Sequence, residues 1–588
     1  MNTPLPPLAN LYAFSSFDRS AVDDMTARLR AGGRFGEVWR PHARWVVATA
    51  PLPHGEPDGE DVRQAGFAFA EGRHRLLPNG TADRLAQVDR LVATSPASLD
   101  SLPGDFGFLR FDPDGSIRVV RSCGGLVPFY LWSGDDSVAV STLLTDHARY
   151  LPGTVRIDPL VHATWTSGWG RSPDNRTFLA DIRLLPRGHV ATLSAGRAES
   201  WVEYWDPRPQ SLPWPTPELA EEHVSRLRQI LVDHLTENLD PDGGNLLGLS
   251  GGVDSSSLAA LAVAAVGRPI STVSLVPPKE PARAHELGYI EPLLDELGVD
   301  RRWFRPLSMP HRIEYIWAAP NAVPVIRHPV LCLLPEIMKE ADVRVLFGGE
   351  LADGVCGSRL STADWDATTS FASLLRSLPN QDGPGSWKYP ARWLRSRLRD
   401  ILGRSAPPFP AALPAFIRED LRNEYAEWWA QEQHQYAYDR RPLRLLARRV
   451  PSGQTWTEMN WEATSLVGVR RSYPFVNRAA LELAYSCHPQ ELLGPGHQTK
   501  RLLHGALDRD VAHRNLYRAD KGTWDADKVD TMPWDHVVPE GLGAVVRPDW
   551  VAKPPAQVSP MDCMGLTQLL RSWSALDALR SQRATPGP

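Results

Sequence analysis

Long apolar runs are missing from this chain. No stretch approaches the ~18–20 consecutive apolar residues that a membrane span requires, so no membrane span is expected. A strong charge of either sign is missing too. The formal net charge is −5 on 588 residues, with 64 Lys+Arg against 69 Asp+Glu. That balance leaves no basic footprint for nucleic acid. Cysteine is scarce: Cys123, Cys332, Cys356, Cys487 and Cys563 are scattered, with no CxxC pair. Such spacing argues against a zinc site or a disulfide framework and for a reducing, cytoplasmic setting. The opening residues, MNTPLPPLANLYAF, have neither a basic n-region nor an apolar h-region, so no secretory signal is expected. What is present is the composition of an ordinary globular protein, 42% hydrophobic and 23% charged, with a length that calls for two or more cores.

Residues 1 to 208 read as a β-rich unit. Short alternating runs recur there (RWVVATA, AGFAFAEG, DFGFLRFD, SIRVVRS, PFYLW, SVAVST), punctuated by Gly, Pro and Asp as hairpins require. The Pro-rich stretch DPRPQSLPWPTPE reads as a linker. A second unit, 216–588, begins with ELAEEHVSRLRQILVDHLTENL, whose Leu and Val recur at helical spacing. ISTVSLV, HELGYIEPLLDELG and DVRVLFGGE then alternate strand, helix, strand. That alternation predicts a parallel sheet with helices on both faces. An insertion at about 361–449 is rich in Trp and Arg. It reads either as helices that pack their tryptophans inward or as a surface that holds a peptide or partner, since Trp and Arg are enriched at binding hot spots.

The most informative segment is NLLGLSGGVDSSSLAALAVAAVG. An apolar run with Leu246, Leu247 and Leu249 predicts a buried strand; two glycines, an acid and serines follow, and then an Ala/Leu-rich helix. A strand, glycine turn and helix start present free N–H groups to an anion at the positive end of the helix dipole. No GK[ST] follows, so this is not the Walker pattern.

The turn resembles the SGGxDS pyrophosphate loop of the ATP-pyrophosphatases, and the chain as a whole resembles asparagine synthetase and its relatives, β-lactam synthetase and the lasso-peptide cyclases. In the first half, Gly104-Asp105-Phe106-Gly107, the run from Arg121 to Tyr130, the run from Thr177 to His189 and Tyr204-Trp205-Asp206 resemble family landmarks in order. The resemblance implies two domains of mixed α/β and α+β class. The first is a class II glutamine-amidotransferase-like β-rich sandwich. The second is an ATP-pyrophosphatase domain on a doubly wound parallel sheet with helical additions. Glutaminase members carry a cysteine directly after the initiator methionine; here Asn2 stands there. The resemblance then implies a degenerate first domain with no glutaminase activity, as in β-lactam synthetase and the lasso cyclases.

In the second half the resemblance implies site residues. Leu249, Ser250, Gly251, Gly252, Asp254, Ser255 and Ser256 would grip the phosphates of ATP, with Ser274 beside the adenine. Leu346 to Gly357 (LFGGELADGVCG) resembles the "GEGADE" loop, with Gly349, Glu350 and Asp353 in register and with Leu351 and Gly354 as departures. Asp254 and Asp353 would hold Mg²⁺, a hard cation that takes carboxylate and phosphate oxygens. Glu350 would be catalytic. Gly468 to Asn477 (GVRRSYPFVN) resembles "GxEVRxPFLD", but Arg470 takes the glutamate position, so the family's acid is absent or comes from Glu462 or elsewhere. Arg518 and Lys521 (RADKGTW) resemble the "RxKxGF" segment; Arg518 would bind nucleotide and Lys521 would be the catalytic cation. Lys500 and Arg501 resemble the preceding "KxxLRxA" helix and carry either a site role or a structural one. Glu286 and Tyr289 match a "DExxYA" helix.

Three functions fit these residues. One is a lasso-peptide cyclase that uses ATP and Mg²⁺ to adenylate an Asp or Glu side chain of a leader-free core peptide. The peptide's own N-terminal amine closes the macrolactam, and AMP and pyrophosphate leave. That reading brings the core peptide, a leader peptidase and a leader-binding protein as partners. The second is an ammonia-dependent asparagine synthetase or another small-molecule amide or β-lactam synthetase. The third is a non-catalytic scaffold, against which Asp254, Asp353 and Lys521 argue.

Overall fold

The structure is a computed structural model. It describes residues 10–31, 35–50, 63, 67–71, 82–94, 98–99, 102, 106–124, 127–151, 156–166, 175–195, 199–205, 216–308, 311, 329–350, 352–357, 413–439, 456–465, 467–492, 500–507, 515, 544–547 and 569. The Pro-rich linker, Arg518, Lys521 and most of the Trp/Arg-rich insertion lie outside the described residues.

The first unit carries β1 (Asn10–Ser16), β2 (Glu37–Trp39), β3 (Trp45–Ala50), β4 (Phe67–Glu71), β5 (Gly107–Phe111), β6 (Ile117–Arg121), β7 (Tyr130–Ser133), β8 (Ser137–Ser141), β9 (Ile182–Leu184), β10 (His189–Leu193) and β11 (Ser200–Glu203). They form two antiparallel sheets, ordered β2-β3-β1-β8-β7-β9 and β11-β10-β6-β5-β4. The six alternating runs of the sequence become β3 to β8. Alternation puts one side chain in two on the shared core, and Tyr12, Phe14, Trp45, Leu109, Val119 and Tyr130 meet there, each at most 1% exposed. Helix Arg19–Ala31 adds Val22, Met25 and Leu29 to the same core.

The second unit carries β12 (Asn245–Gly248), β13 (Ile270–Val276), β14 (Arg302–Pro306), β15 (Val345–Phe347) and β16 (Arg470–Ser472). They form one sheet in the order β14-β13-β12-β15-β16, every neighbouring pair parallel. The order runs outward in both directions from β12, so the crossovers diverge between β12 and β15. That divergence opens a crevice at the carboxyl ends of those two strands, where open α/β sheets bind ligands. On one face lie the helices Pro217–Asn238, Ala282–Glu296, Arg478–Ser486 and Arg501–Leu507, whose apolar residues share a cluster with Leu247, Val345 and Phe347. On the other, the helices Pro329–Ile337 and Trp456–Ser465 pack on Leu246, Val273 and Leu346, and that cluster continues into the core of the first unit.

The joint between the units is polar as well as apolar. Arg121, at the end of β6, forms a 2.6 Å ion pair with Glu458, and Arg187 lies 3.5 Å from the same oxygen. Tyr204 donates its hydroxyl to the Arg121 carbonyl at 2.8 Å, and Trp205 Nε1 donates to Glu482 at 3.1 Å. Arg121, Arg187, Tyr204 and Trp205, from three of the four landmark segments of the first half, therefore converge on the joint. The described part of the insertion includes helix Glu419–Asp439; Trp428 and Trp429 are 7% and 5% exposed, and Arg176 of the first unit pairs with Glu424 at 2.8 Å. These two tryptophans are packing residues rather than open surface. Among the described residues, no helix is long and apolar enough to cross a membrane.

Candidate active site

The turn after β12 is built as the sequence foresees. Leu249 N–H donates to the Val273 carbonyl at 2.9 Å, which carries the parallel ladder past the end of β12. Gly251 then takes φ +67°, a conformation that favours glycine. Ser255 Oγ accepts from Ser250 N–H at 3.1 Å and donates to the Gly252 carbonyl at 3.3 Å, closing the turn on itself. Helix Val253–Ala260 starts at Gly252 with no side-chain cap, so its first N–H groups face the crevice end of the sheet uncapped by a side chain. Such an end attracts anions. Asp254 sits in the first turn of that helix, where a carboxylate is stabilised by the dipole.

The loop after β15 comes up against this turn. A Cβ on Gly349 would lie 2.6 Å from Asp254 Cβ and 3.2 Å from Ser255 N, so only glycine lets the two backbones approach this closely. Ala352 N–H donates to the Gly349 carbonyl at 3.3 Å and opens the short helix Ala352–Cys356, with Asp353 in its first turn.

Lys500 joins the two carboxylates. Its Nζ lies 2.7 and 2.5 Å from the two oxygens of Asp254 and 2.9 Å from Asp353 Oδ1. Lys500 holds φ +65° immediately before helix Arg501–Leu507; for a non-glycine residue this is an uncommon backbone. Its side chain is largely buried, which disfavours the charged form, yet the attraction of Asp254 and then Asp353 outweighs that and holds the ammonium above its ordinary value. His504, one turn on, is pushed down by burial and then by Lys500.

Glu350 is tied down by Arg471, whose guanidinium forms an ion pair with it and lies over the Tyr473 ring at 4.8 Å. Burial lowers the Arg471 pKa, but Glu350 overrides it and the net shift is upward. Burial raises the Tyr473 hydroxyl. Arg470, in the family's glutamate position, turns away and donates to the Asn238 carbonyl. Glu462, the alternative source of the missing acid, does not reach this site. It accepts from Thr145 N–H at 2.9 Å in the first unit.

The hydroxyls of Ser256 and Ser274 are buried and have no hydrogen-bond partner among the described residues. Glu286 is 9% exposed on helix Ala282–Glu296. Tyr289 of the same helix offers its carbonyl to Asn515 Nδ2 at 2.9 Å; Asn515 also reaches the Gly251 carbonyl at 3.4 Å. Asn515 and Arg471 carry weight in this geometry and were not singled out from the sequence. Their only signal there is proximity to the "RxKxGF" and "GxEVRxPFLD" segments. The structure thus brings together Ser250, Gly251, Gly252, Asp254, Ser255, Gly349, Asp353 and Lys500, with Glu350 paired to Arg471 beside them. Lys521 and Arg518 lie outside the described residues.

Solved structures of distant likeness match parts of the chain. Glutamine PRPP amidotransferase from B. subtilis is 9% identical over 50% of this chain and 90% of its own, with a TM-score of 0.21. NMN synthetase from Francisella tularensis is 14% identical over 37% of this chain and 95% of its own, at 0.18. The U34-tRNA thiolase NcsA from Methanococcus maripaludis is 13% identical over 39% and 80%, at 0.19. No curated protein matches the chain. Residues 226–536, more than half of the chain, match the family described as asparagine synthase, and the match takes in the turn after β12, the loop after β15 and Lys500. The chain therefore belongs to the asparagine synthase family, and so to the ATP-dependent carbon–nitrogen ligases.

Proposed function

We infer that this ligase is a lasso-peptide cyclase. The observation that carries its ATP chemistry is the meeting of Asp254 and Asp353 on one ammonium, each within 2.9 Å of Lys500 Nζ. Two carboxylates that already share a monovalent cation are a donor set suited to Mg²⁺, which Asp254 and Asp353 would hold. When bound, that ion neutralises phosphate charge and favours departure of pyrophosphate. The uncapped N–H groups of helix Val253–Ala260 would receive the phosphates. The substrate's Asp or Glu carboxylate oxygen attacks the α-phosphorus and pyrophosphate leaves. The peptide's N-terminal amine then attacks the activated carbonyl, loses a proton and displaces AMP, leaving an isopeptide bond. Lys500, and Lys521 by resemblance, would balance negative charge on the α-phosphate as it develops.

A peptide substrate is supported by where the chain spends its length. β15 and β16 are adjacent and parallel, yet the chain between them runs from Gly348 to Val469. That crossover leaves β15 at the crevice end of the sheet, so its first residues, Gly348 to Glu350, border the crevice, and it re-enters the sheet at the opposite end, where β16 begins. Ordering a threaded peptide costs ~1–2 kcal/mol per residue, so a broad surface is required to offset it. The first unit reads as a glutamine-amidotransferase-like sandwich that supports the ligase through Arg121 and Glu458.

The test is mass spectrometry of a core peptide with a free N-terminus and an internal Asp or Glu, incubated with the protein, ATP and Mg²⁺. Loss of one water from the peptide, matched by AMP, is the expected result. An inert peptide together with conversion of aspartate and ammonia to asparagine replaces this reading with a small-molecule amide synthetase.

A further inference from the structure

Behind the carboxylate pair, three donor side chains from separate elements meet. His223 lies in helix Pro217–Asn238, Cys487 ends helix Arg478–Ser486, and Glu491 lies in the short helix Pro489–Leu492. His223 Nδ1 is 2.6 Å from Glu491 Oε2 and 3.5 Å from Cys487 Sγ, and the three donor atoms all lie within 4.8 Å of one another. Both short contacts use the same imidazole nitrogen. A nucleophile relay uses one ring nitrogen for each neighbour, so these are three donors around a point and not a Cys–His–acid triad.

The donor types are those of zinc: thiolate, imidazole and carboxylate. Tetrahedral zinc, with ~2.3 Å to sulfur and ~2.0–2.1 Å to nitrogen, places those two ligand atoms about 3.5 Å apart. The observed Sγ to Nδ1 distance is 3.5 Å; Nδ1 and Glu491 Oε2, now 2.6 Å apart in a hydrogen bond, would part to about 3.3 Å to share the ion. The setting also favours a cation. Glu491 is 1% exposed, Cys487 0% and His223 8%, and the surrounding cluster is apolar, with Leu227, Leu492 and Leu503 fully buried. The His488 N–H satisfies Glu491 Oε1 at 3.0 Å, which leaves Oε2 on the side of the imidazole and thiol. A carboxylate buried among leucines is costly without a compensating cation.

We propose that His223, Cys487 and Glu491 bind one Zn²⁺, in a site separate from Asp254 and Asp353, with a fourth position left for water. The ion joins the start of the second unit to the segment that leads into Lys500. Leu492, next to Glu491, packs on Gly357 at the end of the Asp353 helix, where a Cβ would lie 2.6 Å from the Leu492 carbonyl oxygen. Val224, next to His223, packs on Gly505 of the Lys500 helix, where a Cβ would lie 2.9 Å from Val224 Cγ2. Zinc there clamps both cation-facing elements from behind. The scattered cysteines of the sequence argued against zinc, because the three ligands come from distant parts of the chain.

The test uses the full-length protein. It is incubated with Zn²⁺, freed of unbound metal by gel filtration and assayed for zinc by mass spectrometry, alongside Cys487→Ala and His223→Gln. One zinc per chain in the unsubstituted protein and its loss in folded variants is the expected result. Zinc retained equally by folded Cys487→Ala overturns the proposal. Should the variants not fold, Co²⁺ added to the unsubstituted protein decides alone. Thiolate-to-cobalt charge-transfer absorption supports the site, and its absence at one equivalent of bound cobalt overturns it, leaving a hydrogen-bonded His223–Glu491 pair. Neither readout depends on which substrate the ligase uses.

Discussion

Lys500 and Asp254 stand 246 positions apart in the chain and meet with their charged atoms 2.5 Å apart, and the same ammonium lies 2.9 Å from Asp353. Lys500 thus occupies the place between two carboxylates that a divalent cation needs. Lys500→Gln is expected to lower pyrophosphate release by ~10²–10³-fold, the loss typical of one electrostatic contact to a transition state. The same variant is expected to bind Mn²⁺ more tightly than the unsubstituted protein without nucleotide, because the competing ammonium is gone. Titration of the Mn²⁺ electron paramagnetic resonance signal reads this directly. Unchanged turnover together with unchanged Mn²⁺ affinity is the contrary result.

Gly349→Ala is expected to abolish turnover with little change in thermal midpoint. The new methyl would stand 2.6 Å from Asp254 Cβ, against backbone and a short side chain that cannot swing aside. The loop must retreat, and Asp353 with it. Comparing kcat with the melting midpoint in the one variant separates a displaced site from a destabilised fold.

Glu462 makes the joint between the units sensitive to pH. Burial, assisted by the neighbouring Asp146, pushes its carboxyl from an ordinary 4.5 up to about 7, against the opposing hydrogen bonds from Thr145. Because the folded value is raised, the folded state holds the proton more tightly than the unfolded one. The stabilisation is full below pH 4.5 and is lost as pH rises through about 7. The span corresponds to roughly 3 kcal/mol. Glu462→Gln keeps an acceptor for the Thr145 N–H without the charge. It is expected to melt higher than the unsubstituted protein at pH 8 and no higher at pH 4.5. A constant difference across that range contradicts the assignment.

The Arg121–Glu458 pair, with side chains 1% and 0% exposed, is expected to be costly to break and cheap to remove whole. Burial lowers the Arg121 pKa and Glu458 opposes that shift. Glu458→Gln leaves two guanidiniums, Arg121 and Arg187, facing a neutral group in the core and is expected to cost ~3–5 kcal/mol. The double variant Arg121→Met, Glu458→Met is expected to recover much of that in denaturant titrations. Additive losses would count against a buried pair.

Much of this was legible in the sequence wherever the signal is local. The turn from Ser250 to Ser255 declares itself because strand, glycines, acid and helix are contiguous, and Gly251 needs its positive φ whatever surrounds it. Asp353 was legible because it follows a short apolar strand. Lys500 was recognisable as a motif residue, but nothing within its own segment says that its ammonium lies between two acids. The Glu350–Arg471 pair was hidden because its partners are 121 positions apart and Arg471 falls in a position that the resemblance did not mark. Spacing alone cannot tell the two faces of helix Trp456–Ser465 apart, so in the sequence Glu462 reads as a substitute acid for the site, whereas its carboxylate belongs to the face that meets the first unit. The tryptophans of helix Glu419–Asp439 illustrate the same limit, since enrichment at hot spots and enrichment in cores give one composition.

On the proposed reading, Asp254 and Asp353 serve cleavage of ATP between its α and β phosphates for the activation of a carboxylate. The most direct measurement is ³¹P NMR of the products formed from ATP and Mg²⁺ with an acidic peptide labelled with ¹⁸O in its side-chain carboxyl. AMP and pyrophosphate in equal amounts, ¹⁸O in the AMP phosphate, and neither product from Asp254→Asn are the expected result. ADP and inorganic phosphate, or AMP without the label, would contradict it.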